Sequence, residues 1–305
     1  MKRALLIAAA LTLAACDAEV GGFGANIGAA QSSAAAAPTN LPAYFDCLRE
    51  SGFTAVSAHR GGPAPGFAEN AIPTFENTLR IAPGAFLEVD ISQTADGVLV
   101  LMHDDRAERT TTGSGALADL DMAQLLAFQL EDDRGQRVDA RVPTLAEALE
   151  WADGKTVLEL DIKRSVRFED VVSAVSAANA MNRVIFVTYS VDGAARLARL
   201  APQAMIYTTI SNARELDTLD RRGVDLTRIV AWVGTDTPPA FLVEALAARG
   251  VETRFGMFGE GRNYADAVRA SAQIVAVDDA EEAARDIDSA DGEEGQAALQ
   301  CATAG

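Results

Sequence analysis

From about residue 43 to residue 285, short apolar strands alternate with amphipathic helical stretches. The predicted strands are residues 53–60, 85–92, 97–103, 155–162, 183–189, 204–210, 228–233, 251–257 and 273–278. This alternation favours an α/β fold with a parallel sheet, and its length matches a (β/α)8 TIM barrel. Residues 94–97 have the composition of a hairpin turn, so we expect strand 97–103 to return antiparallel and stand outside the eight. A doubly wound sheet is the competing fold, but no Gly-x-Gly-x-x-Gly follows the first strand.

The N-terminus has the pattern of an export signal. Lys2 and Arg3 precede an apolar run, residues 4–15, that is shorter than the roughly 20 residues needed to cross a bilayer. Residues 13–16 resemble the end of a bacterial lipoprotein signal, which implies that residues 1–15 are removed and that Cys16 is lipidated. A plain signal peptide cleaved near Cys16 is the alternative.

The rest of the chain divides into a tether, a barrel domain and a tail. Residues 16–42 are a low-complexity Ala/Gly/Ser tether, 43–290 are the predicted barrel domain, and 291–305 are an acidic tail. The acidic stretch from Glu281 to Glu294 is expected to form a solvated helix face and a disordered end. Asp17 resembles an inner-membrane retention signal, which implies a protein anchored in the bacterial envelope and facing the periplasm. Export places Cys47 and Cys301 where disulfides persist, so they form either a bridge or two unpaired thiols.

Charge and histidine content narrow the possible functions. The chain has 26 Lys and Arg residues against 44 Asp and Glu residues, which gives a formal charge of -18. It therefore lacks the excess of basic residues with which proteins bind nucleic acid. The chain contains only 2 histidines, so any imidazole chemistry must use His59 and His103.

Polar residues cluster at the ends of four successive predicted strands. These segments are Ala58-His59-Arg60-Gly61-Gly62, Glu88-Val89-Asp90, Met102-His103-Asp104 and Leu160-Asp161-Ile162-Lys163. Because strand side chains alternate between faces, Glu88 and Asp90 point the same way, as do Asp161 and Lys163. In a barrel that face is the interior, and active sites lie at its C-terminal rim.

The residue types in this cluster indicate phosphate chemistry. Glu88, Asp90 and Asp161 form an oxygen-only set of the kind that Ca²⁺ or Mg²⁺ prefers. Arg60 and Lys163 add the positive charge that a phosphate requires. The two histidines would then act as base and acid across one phosphorus, which predicts metal-assisted phosphodiester cleavage.

The chain resembles the glycerophosphodiester phosphodiesterase family. The matching segments are Ala58-His59-Arg60-Gly61, Glu69-Asn70, Glu88-Val89-Asp90, Thr94-Ala95-Asp96-Gly97, Val100-Leu101-Met102-His103-Asp104, Arg109-Thr110-Thr111-Thr112-Gly113, Val142-Pro143-Thr144-Leu145-Ala146-Glu147 and Asp161-Ile162-Lys163. The resemblance implies a TIM barrel, one divalent cation, and hydrolysis of a small glycerophosphodiester to an alcohol and sn-glycerol 3-phosphate. It is strong from residue 57 to 163 and weak afterwards.

Carried over by position, the resemblance gives each residue a role. It makes His59 and His103 the acid–base pair. The metal ligands are Glu88, Asp90 and Asp161, and the phosphate-binding residues are Arg60 and Lys163. Asp161 departs from the family, which usually has Glu here, and residues 251–258 lack the usual Trp-bearing strand, which leaves the alcohol pocket least defined.

Several of these residues also have a purely structural interpretation. The histidines could be structural, Glu88 and Asp90 could lie on a surface strand, and Asp161 and Lys163 could form a simple ion pair. Glu159 is expected deeper in the barrel or paired with Lys163, and a metal role is its alternative. Glu69 and Asn70 are expected to begin the following helix, with Asn70 as a good N-cap, and Phe258 is given no role. At the level of function, the alternatives are a sphingomyelinase D-like or lysophospholipase D-like lyase and a non-catalytic envelope lipoprotein.

Overall fold

The computed structural model describes residues 37–292 and 297–303. The predicted signal segment, Cys16 and Asp17 lie outside these residues. Within the described part, every helix is too short or too polar to cross a membrane.

Nine strands and ten α-helices form the described part of the chain. The strands are β1 (Ala55–Ala58), β2 (Phe86–Gln93), β3 (Leu99–Leu101), β4 (Leu158–Ile162), β5 (Val184–Val187), β6 (Met205–Thr209), β7 (Ile229–Trp232), β8 (Glu252–Met257) and β9 (Ile274–Val277). The helices are α1 (Leu41–Ser51), α2 (Ile72–Ile81), α3 (Met122–Leu126), α4 (Leu145–Trp151), α5 (Phe168–Ala177), α6 (Val191–Leu200), α7 (Ala213–Arg221), α8 (Ala240–Ala247), α9 (Ala265–Arg269) and α10 (Ala280–Asp291). Short 3-10 turns occupy His59–Gly61, Leu117–Asp119, Leu226–Arg228 and Ala297–Thr303.

Eight of the strands close a parallel barrel. The hydrogen-bonded order is β1-β9-β8-β7-β6-β5-β4-β2, and a further pairing of β1 with β2 completes the ring. Strand β3 pairs antiparallel with β2 and stands outside the ring, as the turn at residues 94–97 predicts. The predicted (β/α)8 barrel is therefore confirmed.

The alternation of side chains along β2 separates the two layers of the barrel. Leu87, Val89 and Ile91 point outward and join the core between strands and helices. Glu88 and Asp90 consequently point into the barrel, where both are buried. Placing charged groups in the interior requires paired partners or a bound ligand.

Helix α1 closes the N-terminal end of the barrel. Asn40 caps its start and Gly52, with φ 73°, ends it. Phe45 and Leu48 pack into a cluster with apolar side chains from the beginnings of the strands. A disulfide between Cys47 and Cys301 joins α1 to the segment Ala297–Thr303.

Two helical segments form the described C-terminal part of the chain. Helix α10 runs to Asp291, and Ala297–Thr303 forms a 3-10 helix in which Ala297, Ala298 and Cys301 are buried. The disulfide and the apolar contacts with α1 hold this second segment in place.

Candidate active site

A cavity of about 240 Å³ opens at the C-terminal ends of the barrel strands. It is lined by His59, Glu88, Asp90, His103, Asp161, Lys163, Val187, Tyr189, Tyr207, Trp232, Arg254, Phe258 and Ala276. Six of the seven predicted barrel-site residues therefore share one cavity. The exception is Arg60, which does not line the cavity but has its Nε 4.0 Å from Asp90 Oδ2.

A tight turn after β1 presents His59 to the cavity. His59–Gly61 form a single 3-10 turn in which Arg60 has φ 51° and ψ 31°, a left-handed conformation unusual for a residue with a side chain. A Cβ at Gly61 would lie 2.2 Å from the Phe75 ring, so only glycine lets the turn pack against α2. The turn also aims the Arg60 amide at the Glu88 carboxylate, with N to Oε2 at 2.8 Å.

Three carboxylates converge at the centre of the cavity. Asp90 on β2 lies directly beside Asp161 on β4 in the parallel register, and Glu88 is two residues before Asp90. One oxygen from each of the three lies within 4.8 Å of the others, and all three residues are buried. Burial, together with the negative charges of Asp90 and Asp161, raises the pKa of Glu88 well above its usual range.

Lys163 and Asn70 partly offset this negative charge. The Lys163 ammonium lies 2.6 Å from Asp90 Oδ1 and 2.8 Å from Asp161 Oδ2. Asn70 Nδ2 donates to Asp90 Oδ2 at 2.7 Å, and the Asp90 amide donates back to Asn70 Oδ1 at 2.9 Å. Burial raises the pKa of Asp90, but Lys163 and Asn70 outweigh it and hold the pKa below its usual value.

The donor set fits a hard divalent cation. The Lys163 ammonium contacts two of the three carboxylates, and Asp161 Oδ1 is buried with no hydrogen-bond partner among the described residues. A buried, unpaired carboxylate oxygen is costly unless a ligand satisfies it. Carboxylate oxygens without thiolate are typical of Ca²⁺ or Mg²⁺ sites.

Each histidine is oriented through its Nδ1 atom. His59 Nδ1 lies 2.9 Å from Asp278 Oδ1, and His103 Nδ1 lies 2.6 Å from Asp104 Oδ1. Both rings are about one-third exposed at the cavity mouth. With Nδ1 engaged, Nε2 of each ring is the nitrogen that remains for a substrate.

A network of opposite charges supports the His103 side of the mouth. Arg109 donates to Asp104 at 2.6 Å and 3.0 Å, and to both oxygens of Glu69 at 2.8 Å. Donation by Arg109 and His103 holds the pKa of Asp104 well below its usual range. Glu69 also accepts from Arg60 Nη1 at 2.9 Å.

One of these contacts corrects an expectation. Asn70 does not cap the following helix, whose N-cap is Ala71, because its side chain instead holds Asp90. Arg60 contacts Glu69, and its Nε lies 4.0 Å from Asp90 Oδ2. Its guanidinium thus borders the carboxylate cluster, and its role in binding phosphate stays a prediction.

The floor of the cavity contains a buried ion pair. Arg254 on β8 contacts Glu159 on β4, and both also bond Ser57 Oγ at 2.8 Å. Glu159 is therefore a deeper barrel residue, and it pairs with Arg254, not with Lys163. Position-by-position comparison could not identify this pair, because its members lie 95 residues apart.

Aromatic rings form the wall opposite the carboxylates. The Arg254 guanidinium lies 4.6 Å from the Tyr207 ring centroid, and the rings of Trp232 and Phe258 are 6.3 Å apart. A Cβ at Gly256 would lie 2.4 Å from the Phe258 ring and 2.6 Å from Trp232, so glycine makes room for both rings.

Two residues at the mouth have positions that the sequence reasoning did not predict. Phe258, to which that reasoning gave no role, lines the cavity with its ring 5.1 Å from that of His59. Asp278, the Nδ1 partner of His59, directly follows β9. Its place at the C-terminal end of the last strand was the available signal.

Comparison with known proteins agrees with this geometry. Residues 59–254, more than half of the chain, match the model of the "Glycerophosphoryl diester phosphodiesterase family". The chain is 35% identical over 156 residues to the uncharacterized protein YqiK of Bacillus subtilis, covering 49% of this chain and 63% of that protein. It is 28% identical over 160 residues to a glycerophosphodiester phosphodiesterase of Caldanaerobacter subterraneus, covering 50% and 65%. The chain thus spans less than two-thirds of the length of either relative.

A solved structure matches over more of the chain. A glycerophosphoryl diester phosphodiesterase from Parabacteroides distasonis superimposes with a TM-score of 0.75 at 29% identity, covering 83% of this chain and 93% of that one. The matched family segment contains both histidines, the three clustered carboxylates and Lys163. The chain belongs to the glycerophosphoryl diester phosphodiesterase family.

Proposed function

We propose that this protein is a divalent-cation-dependent phosphodiesterase that hydrolyses small glycerophosphodiesters to an alcohol and sn-glycerol 3-phosphate. The single observation that carries the proposal is the cavity in which His59 and His103 accompany three converging carboxylates. Family membership supports the same substrate class. A binding protein would not need two imidazoles whose Nδ1 atoms are both held by carboxylates.

The proposed chemistry assigns proton transfers to the two histidines. One histidine accepts a proton at Nε2 from the glycerol hydroxyl next to the phosphoester, and that oxygen attacks phosphorus. The other donates a proton from Nε2 to the leaving alkoxide, which departs as the alcohol. Water then opens the resulting cyclic phosphate, with the two histidines exchanging roles. Asp278 and Asp104 hold the rings in position throughout.

A cation held by the carboxylates, together with the basic residues of the site, would bind the phosphate. Glu88, Asp90 and Asp161 would hold one Ca²⁺ or Mg²⁺ ion, which offsets the negative charge that develops on the phosphoryl oxygens. Lys163, beside two of these carboxylates, places a further positive charge at the phosphate. Arg60 contributes from behind Asp90, where it also fixes the Glu88 carboxylate through its backbone amide.

Turnover of purified protein tests the proposal. We expect hydrolysis of glycerophosphocholine, glycerophosphoethanolamine or glycerophosphoglycerol, loss of activity in EDTA, and recovery on adding Mg²⁺ or Ca²⁺. Cation binding measured by calorimetry should weaken in Asp90→Asn and Asp161→Asn. Full turnover in chelator would refute the metal assignment.

Replacing either histidine tests the acid–base assignment. His59→Ala and His103→Ala should each lower kcat by about 100-fold or more, the usual contribution of a positioned acid or base. Asp105→Asn is the matched control, because Asp105 is exposed beside the His103–Asp104 pair and does not line the cavity. A near-normal rate in either histidine variant would remove that residue from the mechanism.

Product analysis separates hydrolysis from the lyase alternative. Free glycerol 3-phosphate as the final product supports the hydrolase. A cyclic phosphate that persists as the final product, or turnover confined to lysolipid, would instead indicate a sphingomyelinase D-like or lysophospholipase D-like enzyme.

We also propose that the protein is exported and anchored in the envelope through Cys16. The Cys47–Cys301 disulfide supports export, since such bonds persist in oxidising compartments. In a bacterial host, the wild-type protein should fractionate with membranes and Cys16→Ser should be released into the soluble envelope fraction. Equal fractionation of the two proteins would refute the anchor.

A further inference from the structure

A second cavity of about 500 Å³ adjoins the catalytic cavity. It lies at the same end of the barrel, between the loops that follow β4 and β5. Lys163 and Tyr189 line both cavities, so the second space begins beside the side chains that border the catalytic one.

Positive charge distinguishes this second cavity from the rest of the molecule. Its lining includes Lys163, Arg164, Arg167 and Arg196, and no acidic residue of the described chain lines it. The whole sequence carries 44 acidic against 26 basic residues. A concentration of cations on such an acidic protein favours an anionic ligand.

The three arginines are only partly neutralised. Arg196 donates to both oxygens of Glu169, at 2.7 Å and 2.9 Å, and its guanidinium lies 5.4 Å from the Phe168 ring centroid. The same carboxylate is 3.7 Å from Arg167, so one acid faces two arginines. The exposed Arg164 side chain makes no hydrogen bond or ion pair with any described residue. Two exposed guanidinium groups therefore remain for an anion.

We propose that this cavity is a subsite for a second phosphate, carried by the leaving alcohol of the substrate. The inference rests on the proposed phosphodiesterase function and specifies its substrate class as a glycerophosphodiester with two phosphates. With 1,3-bis(glycerophospho)glycerol, water adds across one phosphoester bond. The products are glycerol phosphate and glycerophosphoglycerol, and the second phosphodiester stays intact between Arg164 and Arg167.

Two substrates that differ by one glycerophosphoryl group, which carries the second phosphate, test the proposal. The assay compares kcat/KM for 1,3-bis(glycerophospho)glycerol and for glycerophosphoglycerol, at low salt and with Mg²⁺, in wild type and in the double variant Arg164→Ala/Arg167→Ala. We expect the double variant to lose about ten-fold or more on the first substrate and less than about two-fold on the second. Arg199→Ala is the control, because it removes an exposed positive charge from the far end of α6.

The outcomes separate the subsite from the activity itself. Equal losses on both substrates, no loss on either, or the same loss in Arg199→Ala would overturn the subsite while leaving the phosphodiesterase in place. Wild type that hydrolyses neither substrate would overturn the proposed function. In that case, calorimetry measures the binding of both compounds, with Mg²⁺, to His103→Gln protein and to the same protein carrying Arg164→Ala/Arg167→Ala. These affinities still decide whether the second phosphate is recognised.

Discussion

The ion pair between Arg254 and Glu159 predicts a strong thermodynamic coupling in the barrel interior. Arg254 is 3% exposed and Glu159 is 1% exposed, so neither charge is screened by solvent. The perturbation consists of Arg254→Met, Glu159→Gln and the double variant. All three keep the volume of the core close to that of the wild type.

The contacts set the expected magnitudes. Without Arg254, the Glu159 carboxylate keeps only the Ser57 hydroxyl, 2.8 Å away, as a hydrogen-bond donor. Breaking a buried pair by removing one partner costs about 3–5 kcal/mol, whereas replacing both partners by residues of similar volume is often close to neutral. Each single variant should therefore lose about 3–5 kcal/mol of unfolding free energy, and the double variant should lose less than either one.

Urea unfolding at neutral pH with the disulfide oxidised measures these free energies. The midpoint and slope should be measured with two spectroscopic probes whose transitions coincide. Coincident transitions indicate two-state unfolding, which the double-mutant cycle requires. Additive losses in the double variant would refute the reasoning, since they would mean that the two charges do not stabilise each other. Single variants that lose less than about 1 kcal/mol would show that solvent reaches the pair.

Three further measurements test other parts of the structure. Burial raises the pKa of Glu252 to about 7 from an ordinary 4.5, so the folded protein holds a proton that the unfolded chain releases, and stability falls as pH rises through this range. The stability of Glu252→Gln relative to wild type should therefore increase by about 2–3 kcal/mol between pH 5 and pH 8, and a constant difference would contradict the shift. Reducing the Cys47–Cys301 bond, which spans 254 residues, should lower the unfolding free energy by up to about 5 kcal/mol, and an unchanged urea midpoint would mean that the crosslink does not restrict the unfolded chain. Asn70→Ala removes both bonds to Asp90 and should weaken Mg²⁺ binding in calorimetry about 10- to 100-fold; unaltered affinity would show that Asn70 does not orient this carboxylate.

The barrel could be predicted from the sequence because its signals are local. Each strand is a short apolar run between turns and helices, and the turn at residues 94–97 identifies β3 as the strand outside the ring. Glu88 and Asp90 could be placed on one interior face because strand side chains alternate. His59 directly follows β1 and His103 lies two residues beyond the end of β3, so both could be assigned to the C-terminal rim from the sequence.

The partners of these residues depend on barrel closure and could not be predicted in the same way. His59 meets Asp278 only because β1 pairs with β9, across a separation of 219 residues. The pairing of Cys47 with Cys301 was also left open by the sequence, because two cysteines alone do not specify the distance between them. In the structure Cys301 joins the C-terminal segment to α1.

The first described residues, from Ala37 onward, contact the barrel at the end opposite the catalytic mouth. Ala37 donates to the Gly154 carbonyl at 3.3 Å and the Thr39 carbonyl accepts from Asn182 at 3.2 Å, both in loops that lead into the starts of strands. Cys301 is crosslinked at this same closed end. Immobilising the protein on a sensor chip or column through the surface of α1 thus leaves the mouth facing open solution, and the bound form is suitable for continuous-flow assays.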